Sequence, residues 1–119
     1  MTNAVKLPLL LSMLMPSLGC RRPIQVTYEV TSNDVQVANV GYWESPGKNH
    51  VLKEVKLPFK KTVPFPEDRN WSTNVSGSVP LDKQVTCTVS FDGRLMRTES
   101  KTLLCIVNAH YDLDRGATF

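Results

Sequence analysis

The chain has 119 residues, which is enough for one small domain, alone or behind a targeting segment. Its formal net charge of +3 is too small to indicate nucleic-acid binding, and its basic residues gather on no obvious helix or arm. A hydrophobic fraction of 41% is ordinary for a globular protein and excludes a largely disordered chain.

The N-terminal residues have the pattern of a secretory signal. Residues 1–6 are polar with one positive charge, and residues 7–18 (LPLLLSMLMPSL) form an uncharged apolar run. A membrane-spanning helix needs about 20 apolar residues, whereas this run is shorter and contains Pro8 and Pro16. We therefore predict a signal peptide over residues 1–19, with an uncleaved membrane anchor as an alternative.

The end of this segment resembles the lipobox of bacterial lipoproteins, in which a small residue precedes a cysteine that receives a lipid. Gly19 and Cys20 fit that pattern. Ser17 and Leu18 do not, because the usual order has Leu first and the small residue second. A diacylglycerol on Cys20 would supply two acyl chains, which hold firmly where one chain binds reversibly. We predict lipidation at Cys20, with an ordinary secreted protein as a further alternative.

The mature chain begins with two patterns typical of β-strands. Residues 24–31 (IQVTYEVT) alternate apolar and polar side chains without a break, which predicts a half-buried strand. The inward residues of a second strand are expected to be Val35, Val37, Val40 and Tyr42. Because the alternation slips near Asn39, we expect a β-bulge there.

The middle of the chain predicts two further strands. Residues 51–57 (VLKEVKL) place Val51, Val55 and Leu57 on one face. Pro58 cannot occupy a central ladder position. Residues 59–65 (FKKTVPF) therefore read as a short edge strand, on which lysines would discourage pairing with another chain.

Residues 66–80 are rich in Ser, Asn, Pro and Gly, and the least regular structure is expected there. Trp71 lies within this stretch. It either folds back to cap the core or offers an exposed aromatic contact to a partner or to the membrane interface. In the second case it joins Phe59, Lys60 and Lys61 as candidate partner contacts.

The clearest hairpin lies near the C-terminus. Residues 85–91 alternate, Asp92-Gly93 supplies a two-residue turn, and Arg94 starts the return strand. A last strand places Leu103, Cys105 and Val107 on one face, and residues 110–119 are expected to form a solvated tail. The whole pattern predicts an all-β sandwich of six to eight strands.

Cys87 and Cys105 fall at positions shared with large apolar residues, so both are expected to face inward. A signal peptide would place them in an oxidising compartment, where a disulfide between them is expected. Lipidation of Cys20 would leave these two as an even pair among the three cysteines. Closing a loop of about 19 residues contributes roughly 3 kcal/mol in the chain-entropy model.

Four motifs in this order resemble the MmpS family of mycobacterial and related actinobacterial membrane proteins. They are Tyr28-Glu29-Val30-Thr31, Leu57-Pro58-Phe59, the hairpin from Cys87 to Gly93, and the late Cys105. The resemblance covers about Ile24 to Val107 and implies an MmpS-like domain over residues 24–109. It implies an immunoglobulin-like extracytoplasmic β-sandwich with a Cys87–Cys105 disulfide. It also implies a role as the accessory partner of an MmpL-type transporter that exports lipids or siderophores.

The chain departs from that family at two points. Members usually have a membrane-spanning helix and a spacer before the domain, and they carry Trp where this chain has Phe59.

The sequence contains no pattern typical of an enzyme. His50 and His110 have no spacing that indicates a zinc site. His110, Asp112 and Asp114 could chelate a cation if they were extended and faced one way, but a solvated tail is the simpler interpretation. Phosphate loops and nucleophile motifs do not occur. We predict a non-enzymatic protein without a cofactor.

The position of Cys20 bears on function. Residues 20–23 would form the lipidated N-terminus and a tether of about 10 Å, with Arg21 and Arg22 at the headgroups. The domain would then lie at the extracytoplasmic face of the cell membrane. We predict a lipoprotein that binds a membrane protein, most simply an MmpL/RND-type exporter.

Two alternatives use the same membrane-proximal domain. The first is a phage- or prophage-encoded lipoprotein for superinfection exclusion, which would bind a phage-entry component. The second is a carrier that holds an acyl chain between its sheets.

Overall fold

The computed structural model describes residues 22–119, and all regular secondary structure in that part of the chain is β-strand. The strands are β1 (Ile24–Thr31), β2 (Val37–Ser45), β3 (Lys48–Lys56), β4 (Phe59–Phe65), β5 (Trp71–Ser78), β6 (Gln84–Phe91), β7 (Leu95–Thr102), β8 (Leu104–Asp112) and β9 (Gly116–Thr118). The predicted signal peptide, Cys20 and Arg21 lie outside the described residues.

These strands form two antiparallel sheets that pack around one core. One sheet has the order β4-β1-β6-β7 and the other has the order β3-β2-β5-β8-β9. Fully buried side chains come from both sheets, with Tyr28 and Phe65 from the first and Val75 and Val107 from the second. The predicted all-β sandwich is therefore confirmed, with nine strands in the described part rather than six to eight.

The order of the strands gives this sandwich its own topology. Strand β1 lies between β4 and β6, whereas the corresponding sheet of immunoglobulin constant domains has the order 1-2-5-4. The likeness to immunoglobulins is one of architecture. Because the core is built between Ile24 and Ala109, we expect residues 22–119 to fold without the preceding segment.

Strand β1 confirms the uninterrupted alternation read from its sequence. Ile24, Val26, Tyr28 and Val30 are buried, and the residues between them are exposed or half-buried. A strand in the interior of a sheet with one face on the core is expected to alternate in this way.

The irregularity expected near Asn39 is present, but the extra residue belongs to β3. Ala38 pairs with Val55 and Val40 pairs with Leu52, so β3 has two residues between these pairs where β2 has one. Glu54 of the bulge has a φ of 52°, and its N–H donates to Asn39 Oδ1 at 3.0 Å. Asn39 therefore marks the bulge from the opposite strand.

The inward residues of β2 are Ala38, Val40 and Tyr42. The expectation that Val37 points inward is wrong, because 44% of its surface is exposed. Ala38 takes the core position, since it lies two residues before Val40 and a strand repeats its faces every two residues. The sequence pattern favoured Val37 only because alanine gives a weak hydrophobic signal.

Strands β3 and β4 are edges of their sheets, as predicted for residues 59–65. The expectation that Val51 shares a face with Val55 and Leu57 is wrong, because Val51 is 67% exposed whereas the other two pack against the core. The extra residue of the β3 bulge lies between Val51 and Val55, so Val51 pairs with Gly41 on the outer face whereas Val55 pairs with Ala38 on the inner face. Pro58 lies between the two strands, where it interrupts no ladder.

Residues 66–80 are more regular than expected, because they contain β5, the central strand of the five-stranded sheet. Its inward residues are Trp71, Thr73, Val75 and Gly77. The outward positions hold small polar residues, which gave the stretch the composition of a loop.

The hairpin of β6 and β7 is confirmed, but its loop has three residues rather than two. Asp92, Gly93 and Arg94 lie between the paired residues Phe91 and Leu95. Asp92 and Gly93 adopt φ values of 51° and 72°, which is the conformation that the Asp-Gly pair predicts. The Arg94 N–H donates to the Phe91 carbonyl at 3.0 Å and closes the turn.

The disulfide between Cys87 and Cys105 joins β6 to β8 and therefore links the two sheets. Both cysteines are fully buried, and their Cα atoms are 5.9 Å apart. Leu103, expected inward on the same strand, is instead 44% exposed and has a φ of 75° at the junction of β7 and β8.

Residues 110–119 do not form the solvated tail that was expected. They continue β8 to Asp112 and then form β9, which pairs with it. The Tyr111 ring stacks on Trp71 with centroids 5.2 Å apart, and Phe119 lies 5.4 Å from Phe91. Aromatic packing thus holds the C-terminus on the core.

Candidate interaction surface

On one side of the sandwich, the edge strands β3 and β4 each place an aromatic ring against Tyr42 of β2. The ring centroid of Tyr42 lies 5.5 Å from His50 of β3 and 5.6 Å from Phe59 of β4. Tyr28 lies 5.6 Å away on the inner side. The two sheets are therefore joined on this side by a cluster of aromatic rings.

The hydroxyl of Tyr28 anchors this cluster from within the core. It donates to the Trp43 carbonyl at 2.7 Å and also pairs with the Thr73 hydroxyl. Burial raises the pKa of Tyr28, because the charged phenolate would lose its hydration. The hydroxyl therefore stays neutral and ties β1 to both β2 and β5.

A polar cluster lies outside these rings, at the β2–β3 hairpin. His50 Nε2 lies 2.6 Å from Glu44 Oε1, and Lys48 Nζ lies 3.8 Å from the same oxygen. The hydrogen bond from His50 is the largest cause that lowers the pKa of Glu44, followed by the charges of His50, Lys48 and Lys61. The hairpin and β4 share this side, because Tyr42 contacts both His50 and Phe59.

The same side carries a local excess of positive charge, with five of the chain's fourteen lysines and arginines. Residues 48–61 contain five lysines and one acidic residue, Glu54, a net charge of +4 in a chain whose total is +3. All five lysines are exposed. We call this edge of the sandwich the basic side; its lysines are Lys48, Lys53, Lys56, Lys60 and Lys61. Lys56 pairs with Val37 and Lys60 pairs with Glu29, so these two lie at the outer faces of the two sheets on either side of the edge.

The candidate partner contacts separate into two locations. Phe59, half-buried against Tyr42, and the exposed Lys60 and Lys61 belong to the basic side. Trp71 lies at the other end of β4, where it is only 6% exposed and packs 4.4 Å from Phe65. The interpretation of Trp71 as a cap on the core is confirmed.

The end of the sandwich at which the chain enters β1 has the opposite charge. Three loops meet there, because the Gln25 N–H donates to Asp92 Oδ1 at 2.9 Å and the Leu113 N–H donates to Asn70 Oδ1 at 2.8 Å. These loops, residues 66–70, 92–94 and 112–115, hold five acidic residues and three arginines. We call this the tether end, and exposed Arg22 enters the domain here.

The residues weighed as a cation site do not form one. Within residues 22–119, no group of three His, Cys, Asp or Glu side chains is placed to hold a metal ion. His110 Nδ1 instead lies 2.8 Å from Ser72 Oγ on the neighbouring strand. No helix in the part of the chain that the structure describes is long and apolar enough to cross a membrane.

Sequence reasoning missed a hydroxyl-rich outer face on the four-stranded sheet. Thr27 pairs with Thr62 at 2.8 Å, and the hydroxyls of Thr88 and Thr98 lie 3.0 Å apart. The signal was present as threonine at alternate positions of β1 and β6, but the partner strands were needed to join these into one surface.

Comparison with known proteins gives no family assignment. No protein-family model matches this chain, and no curated protein matches it.

Proposed function

We propose that the protein is a non-enzymatic lipoprotein of the extracytoplasmic membrane face that binds a membrane protein, most simply an exporter of the MmpL type. The observation that carries the proposal is the start of β1 at Ile24. Only three residues then separate the sandwich from Cys20, so a lipid on that cysteine would hold the start of β1 within about 10 Å of the bilayer.

Two further features support the extracytoplasmic placement. The Cys87–Cys105 disulfide joins the two sheets, and stable disulfides are characteristic of oxidising compartments. The four motifs that resemble the MmpS family also fall on defined elements. They lie on β1, the β3–β4 junction, the β6–β7 hairpin and β8.

Metabolic labelling with an alkyne analogue of palmitate tests the anchor. The full chain should be labelled and should sediment with membranes, whereas Cys20→Ala should lose the label and leave the membrane fraction. Cys87→Ala/Cys105→Ala is the matched control, because it removes two cysteines outside the lipobox and should keep the label. Equal labelling of wild type and Cys20→Ala would contradict the proposal.

Crosslinking on intact membranes tests the partner. The tagged full chain is treated with an amine-reactive crosslinker, and the proteins joined to it are identified by mass spectrometry, with Cys20→Ala as the control. A transport protein that depends on Cys20 supports the exporter assignment. A phage-entry component would assign the protein to superinfection exclusion, and the absence of any membrane protein would contradict both.

A further inference from the structure

We propose that the basic side docks on anionic lipid headgroups, so that the domain lies on its β3–β4 side against the membrane. This inference rests on the proposed membrane anchoring and adds the orientation of the domain and the chemistry of the surface it contacts.

The first argument is the arrangement of charge on the basic side. Among the acidic residues nearby, Glu44 is paired with His50 and Lys48, and Glu29 lies opposite Lys60 in the ladder. Within the described residues, this leaves Lys53, Lys56 and Lys61 as the lysines of the basic side without an acidic neighbour of this kind. The lysines are spread along two edge strands rather than gathered in a pocket. Lysine is a flexible, strongly hydrated point charge, which suits mobile headgroups better than one fixed anion.

The second argument is the place of the tether. Strand β1 is the direct neighbour of β4, and Ile24 lies opposite Phe65 at the far end of β4 from Lys60. Lys60 pairs with Glu29, five residues along β1 from Ile24, which is about 17 Å at the rise of a strand. A chain tethered before Ile24 can therefore lie down on β4 without moving its anchor.

The third argument is the charge of the tether end. A domain that stood upright on its tether would bring the five acidic residues of the tether end against the headgroups, where the three arginines of its loops together with Arg21 and Arg22 only balance them. A domain on its β3–β4 side instead brings five lysines within the Debye length of about 8 Å, and Glu29, Glu44 and Glu54 offset only three of them. On an anionic leaflet the second orientation is favoured.

The anchor would keep the basic side next to lipid headgroups, which favours a lipid surface over an acidic protein as its binding partner. A group held by a short linker experiences an effective concentration in the millimolar range. The headgroups are therefore the anionic groups that the lysines meet continuously. Edge lysines also oppose pairing of β3 or β4 with a strand from another chain.

Vesicle flotation with residues 22–119, which lack the anchor, tests the proposal. The domain should float with phosphatidylcholine vesicles that contain phosphatidylglycerol and not with pure phosphatidylcholine vesicles. Binding should fall as salt is added, because exposed charges are screened. Equal binding to the two vesicle types would overturn the proposal.

Two matched variants locate the surface. Lys53→Gln/Lys56→Gln removes two lysines from the basic side, and Lys83→Gln/Lys101→Gln removes two exposed lysines elsewhere. The first should weaken binding roughly tenfold or more, whereas the second should change it less than threefold by the same reasoning. Equal losses would show that only net charge matters and would overturn the assignment. Circular dichroism and thermal unfolding confirm that each variant is folded.

The remaining outcomes also decide the proposal. Lysine-dependent binding to polyglutamate without binding to phosphatidylglycerol would indicate that the basic side binds an acidic protein and not a lipid surface. That result would overturn the proposal. Because these measurements use a domain without Cys20, their failure leaves palmitate labelling of the full chain unaffected. If the labelling failed, the conclusion about lipid binding by residues 22–119 would likewise be unaffected.

Discussion

The imidazole of His50 hydrogen-bonds the carboxylate of Glu44 across the β2–β3 hairpin, with Nε2 and Oε1 2.6 Å apart. His50 also lies against the Tyr42 ring, with ring centroids 5.5 Å apart. One side chain therefore connects the aromatic cluster that closes the sandwich to the charged groups of the basic side. Replacing His50 should therefore affect both the packing of Tyr42 and the pKa of Glu44.

Replacing His50 by alanine should raise the pKa of Glu44 toward its ordinary value of 4.5. The hydrogen bond from His50 is the main cause that lowers this pKa, so Lys48→Gln should raise it less. Titration of the Glu44 carboxyl carbon by NMR measures both shifts. A larger shift in Lys48→Gln would contradict the assignment.

The same pair predicts how stability depends on pH. The pKa of Glu44 is lowered in the folded state, so its interactions stabilise the fold above the ordinary value of 4.5 and are lost as the pH falls through the folded-state pKa. Urea unfolding of wild type and His50→Ala should therefore differ at neutral pH and converge in acid. A difference that persists in acid would assign the effect of His50 to packing on Tyr42.

The disulfide should contribute about 3 kcal/mol to the free energy of unfolding, because the cysteines are 18 positions apart. Cys87→Ala/Cys105→Ala should lose at least this amount in urea unfolding, since both sulfurs are fully buried and their removal also leaves space. Reduced wild-type protein is the control, because it loses the bond but keeps the sulfur atoms. Equal stability of oxidised and reduced protein would contradict the prediction.

How far the sequence predicts the fold differs from strand to strand. The alternation of β1 and the Asp-Gly turn after β6 could be read directly, because both signals are local. Residues 71–78 could not be read as a strand in this way, since β5 buries two small or polar residues, Thr73 and Gly77, in addition to its apolar ones. Only its place between β2 and β8 makes it a core strand.

The basic side was likewise predictable from the sequence only in part. Lys60 and Lys61 could be identified as exposed from their edge-like strand, and the structure places them there. Their grouping with Lys48, Lys53 and Lys56 needed the contact of Tyr42 with both His50 and Phe59, which brings the edges of two different sheets to one side. Spacing along the chain carries no such information.

Gly77→Ala should destabilise the fold by about 1–3 kcal/mol, which is typical of an overpacked core. A Cβ atom at this position would lie 2.7 Å from Val30 Cγ1 and 3.1 Å from Val85 Cγ2, both on strands of the facing sheet. Gly41→Ala is the matched control on neighbouring β2. Its Cβ would also meet an atom at 2.7 Å, but that atom is the hydroxyl of Ser76, which can rotate away. Thermal unfolding should show a clearly larger loss for Gly77→Ala, and equal losses would contradict this account of the core.

Tyr28→Phe should cost about 1–3 kcal/mol of stability, because it leaves the Trp43 carbonyl and the Thr73 hydroxyl without their buried partner. Tyr111→Phe is the control, since its hydroxyl donates to the Glu67 carbonyl at 3.0 Å in a half-buried setting and should cost less. The pKa of Tyr28 is raised in the folded state, so its contribution is complete below the ordinary value of 10 and is lost as the pH rises above it.

Urea unfolding at neutral pH and above pH 10 therefore tests the role of Tyr28 in two ways. Wild type should lose stability in alkali, and Tyr28→Phe should lose less, because this variant has no buried phenol to ionise when it unfolds. The gap between the two proteins should narrow as the pH rises. A gap that stays constant into alkali would show that the hydroxyl contributes through its hydrogen bonds alone and would contradict the raised pKa.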